Sequence, residues 1–230
     1  MIDTKPVLAT LIPVLNRPRN VVPLVESWLA SGTPGRLVFI VEVDDVAELQ
    51  VVEAVTSFKG VDRLEVVDAH TWPEKINVGI QTVDADWYLC AADDVRFIAG
   101  WWAATKKHRD DPEIGVIGTN DSFDGSGNPR VWAGDHTVHP LVRQSYARGP
   151  NLDGGPFCVE DVKHWFSDDL IVAVAKYRKA WAYCPGAVIE HLHPFWRTKE
   201  IAWDDTYAHG ESTAPEDQQR AQEWANTWIR

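Results

Sequence analysis

The sequence predicts an α/β fold, a mostly parallel β-sheet flanked by helices and followed by a C-terminal helical tail. Three observations carry that expectation. Apolar runs of strand length alternate with segments of helical periodicity over residues 1–120, the pattern of successive β-α-β units with right-handed crossovers. The first runs are continuously apolar rather than alternating, as in strands covered on both faces. Polar groups stand at three of the strand ends, Asn16-Arg17, Asp44-Asp45 and Asp93-Asp94, which is the edge where open parallel sheets receive ligands.

The elements follow in order. Pro6–Leu15 (PVLATLIPVL) reads as a buried strand, and residues 16–20 as a turn. Val21, Leu24, Val25, Trp28 and Leu29 then fall on one face of an amphipathic helix that Ser31-Gly32 stops. Arg36–Val43 is a second buried strand ending at Asp44-Asp45. A helix over 46–58 turns Ala47, Val51, Ala54, Val55 and Phe58 inward, and Gly60 closes it. Leu64–Val67 is a short strand, Lys75–Thr82 a short helix, Trp87–Ala92 a fourth strand and Ile114–Gly118 a fifth. The span Thr119–Pro156 is rich in Gly, Asn, Asp and Pro. It is longer than structural connections usually are, which marks it as a functional loop region with short strands. Ser167–Lys179 is a helix and Tyr183–His191 a strand. Thr213-Ala214-Pro215-Glu216 has capping-box spacing with Pro at an early helical position, so a terminal helix is expected from there through Trp224 and Trp228.

Composition narrows the classes of function. With 230 residues, 45% of them hydrophobic, the chain has material for one large core. A net charge of −12 argues against non-specific binding to nucleic acid, which needs surplus Lys and Arg at the phosphates. No run approaches the roughly 18 apolar residues of a membrane span. The start, Met1 to Pro6, lacks the basic region of a signal peptide, so a cytoplasmic protein is expected. Cys90, Cys158 and Cys184 are scattered, with no Cys-x-x-Cys pair, and read as reduced buried thiols. Twelve Trp suit stacking on sugar C–H faces, although most are expected in the core or covered in a homodimer.

Asp93-Asp94 is the sharpest chemical signal. Two carboxylates directly after a buried strand repel each other unless a cation or hydrogen-bond donors compensate, and a hard divalent ion bridging diphosphate oxygens is one such solution. The bland alternative is an acidic turn or helix cap. Asp44-Asp45 repeats the pattern, with a carboxylate able to accept from a nucleobase or ribose, although Asp45 is also well placed to cap the next helix. His191 and His193 share a face on an extended segment, where one can complete a metal site begun by Asp93. Asp168 and Asp169 open the late helix, either as caps favoured by the dipole or as a general base. Lys75 and Asn77 are candidates for a phosphate, and His136, His139, Arg143 and Arg148 are weaker candidates for diphosphate or acceptor.

In order, these segments resemble the family 2 glycosyltransferases of GT-A, Rossmann-like fold. LIPVLNRP resembles that family's first strand and turn, VEVDD its second strand with a base-binding carboxylate, and EKINVGI the helix before the metal motif. LCAADDV resembles the D-x-D strand end, and FSDDLIVAVAKYRKAWAYCPGAVIEHLHP the late base helix, strand and His. The resemblance spans about residues 6–195. It implies a domain over residues 1–200, with a nucleotide-binding half (1–120) and an acceptor and catalytic half (121–200), and a helical extension over 201–230. It also implies transfer of a sugar from a nucleoside-diphosphate sugar to a hydroxyl acceptor, with inversion and a divalent metal, manganese or magnesium. Asp44 or Asp45 would bind the base, with Asn16, Arg17, Lys75 and Asn77 as further donor contacts. Asp93 and Asp94 would hold metal and donor, His191 or His193 would be the third ligand, and Asp169 or Asp168 the base. The first carboxylate of D-x-D falls on Ala91, a departure from the pattern.

Two other classes compete. A nucleotidyltransferase would carry a Gly-rich phosphate loop after the first strand, where this chain has Asn16-Arg17-Pro18. A non-catalytic glycan- or nucleotide-binding protein of the same fold fits the Ala91 departure and the Trp content. A dinucleotide dehydrogenase is disfavoured because no Gly-x-Gly-x-x-Gly follows the first strand.

Overall fold

The computed structural model describes residues 7–122, 125–196 and 201–229; Met1–Pro6, read above as no signal peptide, and the Pro6 end of the first strand lie outside them. The chain order is β1 (Leu8–Pro13), α1 (Pro18–Ala30), β2 (Arg36–Glu42), α2 (Val46–Val55), β3 (Val61–Val66), α3 (Trp72–Thr82), β4 (Trp87–Cys90), β5 (Val95–Phe97), α4 (Trp101–Ala104) and α5 (Lys106–Arg109). It continues with β6 (Val116–Asn120), α6 (Pro129–Trp132), β7 (Leu141–Arg143), α7 (Gln144–Ala147), α8 (Ser167–Tyr177), β8 (Trp181–His191) and α9 (Asp205–Trp228). Eight strands form one sheet in the order β3-β2-β1-β4-β7-β6-β8-β5. The first four neighbours, β3 to β4, run parallel. The direction reverses at β7, which is antiparallel to both β4 and β6.

The sheet separates two apolar layers. One joins Leu8, Ile12, Phe39 and Leu89 to the inner faces of α1 and α2, through Leu24, Trp28 and Val52. The other joins Leu11, Ile40 and Tyr88 to α3 and α8, through Ile76, Ile80 and Ile171. Helix α3 lies close on the strands: a Cβ at Gly79 would stand 2.8 Å from Ile40 Cδ1 and 3.1 Å from Leu11 Cδ1. All three cysteines are buried and free, and no described helix is long and apolar enough to cross a membrane.

Several expectations are corrected. Helix α3 begins three residues before Lys75, because Thr71 and Glu74 form a reciprocal capping box there. Helix α2 ends at Val55 rather than at Phe58, and Phe58 is exposed. The terminal helix begins at Asp205, where the Asp204 carboxylate accepts the Tyr207 N–H at 3.0 Å. The capping-box spacing at Thr213–Glu216 falls inside that helix, and Pro215 is an interior residue. The strand β5, directly after Asp93-Asp94, was not expected. It pairs antiparallel with the end of β8, Val95 opposite His191.

Lys75 shows how the interior pays for polarity. Its ammonium is 2% exposed and bridges Glu42 Oε1 at 2.8 Å and the Val14 carbonyl at 2.9 Å. It thereby ties α3 to the ends of β1 and β2. Lys75→Met should cost about 3 kcal/mol in urea unfolding, because Glu42 loses its buried cation. Burial would raise the Glu42 pKa, but bonds from Lys75 and His70 hold it below the ordinary range. That contribution is present above the ordinary glutamate pKa and fades as the pH falls through the lowered one, so the gap between wild type and variant should narrow in acid.

Candidate active site

The site is assembled where β1, β4 and β8 end. After β1 the chain passes through Asn16 with φ +55°, a left-handed conformation that Asn tolerates better than most residues. The turn presents Arg17 at the start of α1, with Pro18 and its fixed φ following. The Arg17 backbone N–H is held by Glu48, buried on α2. Its guanidinium reaches Asp93 Oδ1 at 3.1 Å and Asp94 Oδ2 at 3.5 Å. It also donates to Asp204 at 3.4 Å and lies 3.7 Å from the centre of the Tyr207 ring. The repulsion expected between the two carboxylates is therefore relieved by a cation from the chain itself.

The β5–β8 ladder brings in the histidines. The Leu192 N–H donates to the Asp94 carbonyl at 2.8 Å, and His191 Nε2 lies 3.5 Å from Asp94 Oδ2. The Tyr207 hydroxyl donates to that same oxygen at 2.8 Å. Burial would raise the Asp94 pKa, yet His191 and Arg17 hold it well below the usual carboxylate range. Burial would lower His191, but Asp94 raises it. Asp93 goes the other way: burial pushes it up to about 7, against the pull of Arg17. Burial and the neighbouring His191 push His139 down to about 3 and His193 to about 4, so both are neutral near pH 7.

Across the cleft, α8 starts with Asp168 and Asp169. Asp168 accepts the Asp169 N–H at 3.0 Å and pairs with His136 Nε2 at 3.1 Å. Burial works against its charge, but His136 keeps it low. Asp169 pairs with Arg130 at 2.7 Å. Arg17, Asp94, Asp168, His191 and His193 line one cleft, whose lining does not include Asp169. Of the two acids, Asp168 is thus the one that faces the cleft.

The other expected residues are placed as follows. Asp45 caps α2, accepting the Glu48 N–H at 3.1 Å, and also accepts the Asn16 N–H at 3.3 Å. Asp44 is exposed beside it. Asn77 clamps the 158–160 segment, donating to the Cys158 carbonyl and Glu160 and accepting the Cys158 N–H. Arg143 and Arg148 are spent on backbone carbonyls, and Lys75 on the interior. His193 Nδ1 accepts the Phe195 N–H at 3.2 Å. Asn16 lines a second cavity with Glu42, His70, Arg19 and His209. Glu42 was missed, although an acid inside the apolar run RLVFIVEV was its signal. Tyr207 and Asp204 were missed because the terminal helix was expected to begin later.

Among the described residues, one trio of His and acidic side chains has ligand atoms within 4.8 Å of one another, His136, Asp168 and Asp169. Asp93, Asp94, His191 and His193 do not close to that degree around a single point. Asp94 Oδ1, Asp93 Oδ2 and His191 Nδ1 are nevertheless buried with no hydrogen-bond partner, so Asp94 and His191 retain free donor atoms of the type a divalent cation accepts.

Comparison of the whole fold decides its class. TarS 1–349 from S. aureus superposes with a TM-score of 0.65 at 13% identity, over 96% of this chain and 73% of that one. The mannosyltransferase PcManGT from Pyrobaculum calidifontis, in complex with GDP-Man and Mn2+, gives 0.62 at 13% identity, over 83% and 58%. Glucosyl-3-phosphoglycerate synthase from Mycobacterium tuberculosis, in complex with Mn2+, UDP and phosphoglyceric acid, gives 0.60 at 10% identity, over 94% and 78%. This chain has the GT-A fold. No protein-family model matches it, and no curated protein sequence is significantly similar to it. Asp93-Asp94 lies directly after β4, with Arg17 alongside.

Removing that internal cation tests the electrostatics. Arg17→Met should destabilise the protein by about 3–5 kcal/mol, because two buried acids lose their partner. Added Mn2+ should raise the melting temperature of the variant more than that of the wild type.

Proposed function

We propose that the protein is a glycosyltransferase that moves a sugar from a nucleoside-diphosphate sugar to a hydroxyl acceptor. One observation carries the reading: Asp94 with His191, and Asp168 with His136, face each other across a single cleft at the carboxyl ends of the sheet. The fold of nucleotide-sugar enzymes supports it. The adjoining cavity with Asn16 and Glu42 is the seat for the nucleoside, with the Glu42 carboxylate, rather than Asp44 or Asp45, accepting from base or ribose.

Asp94 Oδ1 and His191 Nδ1 would hold a divalent cation, manganese or magnesium, which when bound supplies positive charge to the departing diphosphate. Arg17 adds fixed charge at the same edge. Asp168 takes the proton of the acceptor hydroxyl as its oxygen bonds to the anomeric carbon. The bond from that carbon to the diphosphate oxygen breaks, and the nucleoside diphosphate leaves with the electron pair. Attack and departure on opposite faces invert the anomeric centre. His136 keeps Asp168 ionised, so it is ready to accept a proton at neutral pH.

A second reading, a binding protein without transfer, is favoured by one observation: Arg17 already compensates Asp93-Asp94, and Ala91 stands where the first carboxylate of D-x-D falls. The two are separated by nucleotide binding and turnover. UDP or GDP with Mn2+ should raise the melting temperature, by mass action worth about 2.7 kcal/mol at a hundredfold excess over Kd. Asp168→Asn should lower the rate of sugar release from the donor at least a hundredfold and leave the nucleotide shift in place. A protein that binds glycans but never consumes a nucleotide sugar is the binding module.

A further inference from the structure

The wall of the cleft before Asp168 is held more firmly than a loop needs to be. Asp217, on α9 and 1% exposed, accepts three consecutive backbone N–H groups, from Lys163 and His164 at 2.9 Å and from Trp165 at 3.0 Å. Helix α9 also approaches closely at Gly210, where a Cβ would stand 2.8 Å from His164 Cδ2 and 3.3 Å from Trp165 Nε1. The next residue, Phe166, has φ +68°, a left-handed conformation that is strained for a bulky side chain and persists only where the surroundings impose it. The result is that Trp165 and Phe166 line the cleft immediately before Asp168.

Further aromatic groups complete the enclosure. Trp72 is fixed by its Nε1 bond to the Ala91 carbonyl at 3.0 Å, and Tyr207 by its bond to Asp94. The His193 ring fills the corner, 6.0 Å from Trp165 and 4.7 Å from Tyr207. Within this apolar wall the Ser167 hydroxyl, on a residue 4% exposed, has no partner. An aromatic surface with one unsatisfied hydroxyl, beside a carboxylate, is the complement of a sugar: C–H groups on its flat face, hydroxyls on its edge.

Charge selects among acceptors. Among the described residues, Arg17 is the one Lys or Arg side chain lining the cleft, and it is already shared among Asp93, Asp94 and Asp204, while Asp94 and Asp168 each have a histidine as partner. A phosphate or carboxylate on the acceptor would therefore find no unshared guanidinium or ammonium to pair with beside the aromatic wall. We infer that the wall of Trp72, Trp165 and Phe166 is the acceptor subsite and that it takes the apolar face of an uncharged pyranose, with Asp217 as the positioning residue that holds the wall. This inference rests on the transferase reading.

Saturation-transfer NMR tests it on the intact protein, with methyl β-glucopyranoside as the neutral probe and glycerol 3-phosphate as the anionic one. Irradiating the aromatic protons should transfer saturation to H1, H3 and H5 of the glycoside and several-fold less to the anion. Trp165→Ala should reduce the glycoside signal at least fivefold. Asp217→Asn, which keeps the shape but turns an acceptor oxygen into a donor, should reduce it as well, with circular dichroism reporting that both variants are folded. Transfer to the anion alone, no transfer to the glycoside, or a signal unchanged in Trp165→Ala overturns the inference. A nucleotide-induced thermal shift without glycoside transfer removes only this subsite. Glycoside transfer without any nucleotide shift removes the transferase reading instead.

Discussion

The contact of Arg17 with Asp93 and Asp94 is the constraint on which the rest of the site depends. Two carboxylates at the end of a buried strand cannot both stay ionised without positive charge nearby. Here the charge arrives from β1's turn, and its position is fixed from three sides: by Glu48 on the backbone, by Asp204 and by the Tyr207 ring. The energetic consequence is unequal. Asp94, which His191 also faces, is held low by its positive neighbours, while burial raises Asp93. Asp94 lines the cleft, and Asp93 lies outside that lining against Arg17 at 3.1 Å.

The parallel half of the sheet was legible because its signals are local. Continuous apolar runs, an amphipathic stripe at Val21 to Leu29 and a carboxylate after each strand need no knowledge of distant residues. The β5–β8 ladder was not legible, since three residues after an acidic pair carry no periodicity, and their strand character comes from pairing with a segment almost a hundred positions away. The terminal helix was misjudged for a similar reason. A capping-box spacing at Thr213–Glu216 is a valid local signal, but the helix is nucleated earlier by Asp204 and held by packing of Ala221 and Trp224 against Val162, Leu170 and Val174. Tertiary packing of this kind outweighs a single Pro in a helix interior.

Site residues divide along the same line. Asp94, Asp168 and His191 were identifiable by type and position. Lys75 and Asn77 had the right chemistry for a ligand, but burial gives that chemistry to the scaffold. A charged or amide side chain that is fully buried must find partners within the protein, and Lys75 finds Glu42 and the Val14 carbonyl. Sequence cannot distinguish a cation aimed at a cleft from one aimed at a carbonyl, because both obey the same demand for a partner.

The same principle explains why the last helix belongs to the site rather than hanging from it. Three side chains of α9 and its cap are bonded to the cleft or its walls: Asp204 to Arg17 and Arg19, Tyr207 to Asp94, and Asp217 to three N–H groups of the 163–165 segment. Each bond joins α9 to a different part of the cleft, one to β1's turn, one to the acidic strand end and one to the wall before α8. A helix free to leave would strand the Arg17 charge pair and the three N–H donors at once. The packing of α9 and the shape of the cleft are therefore coupled, and α9 is as much part of the candidate site as the strand ends that carry Arg17 and Asp94.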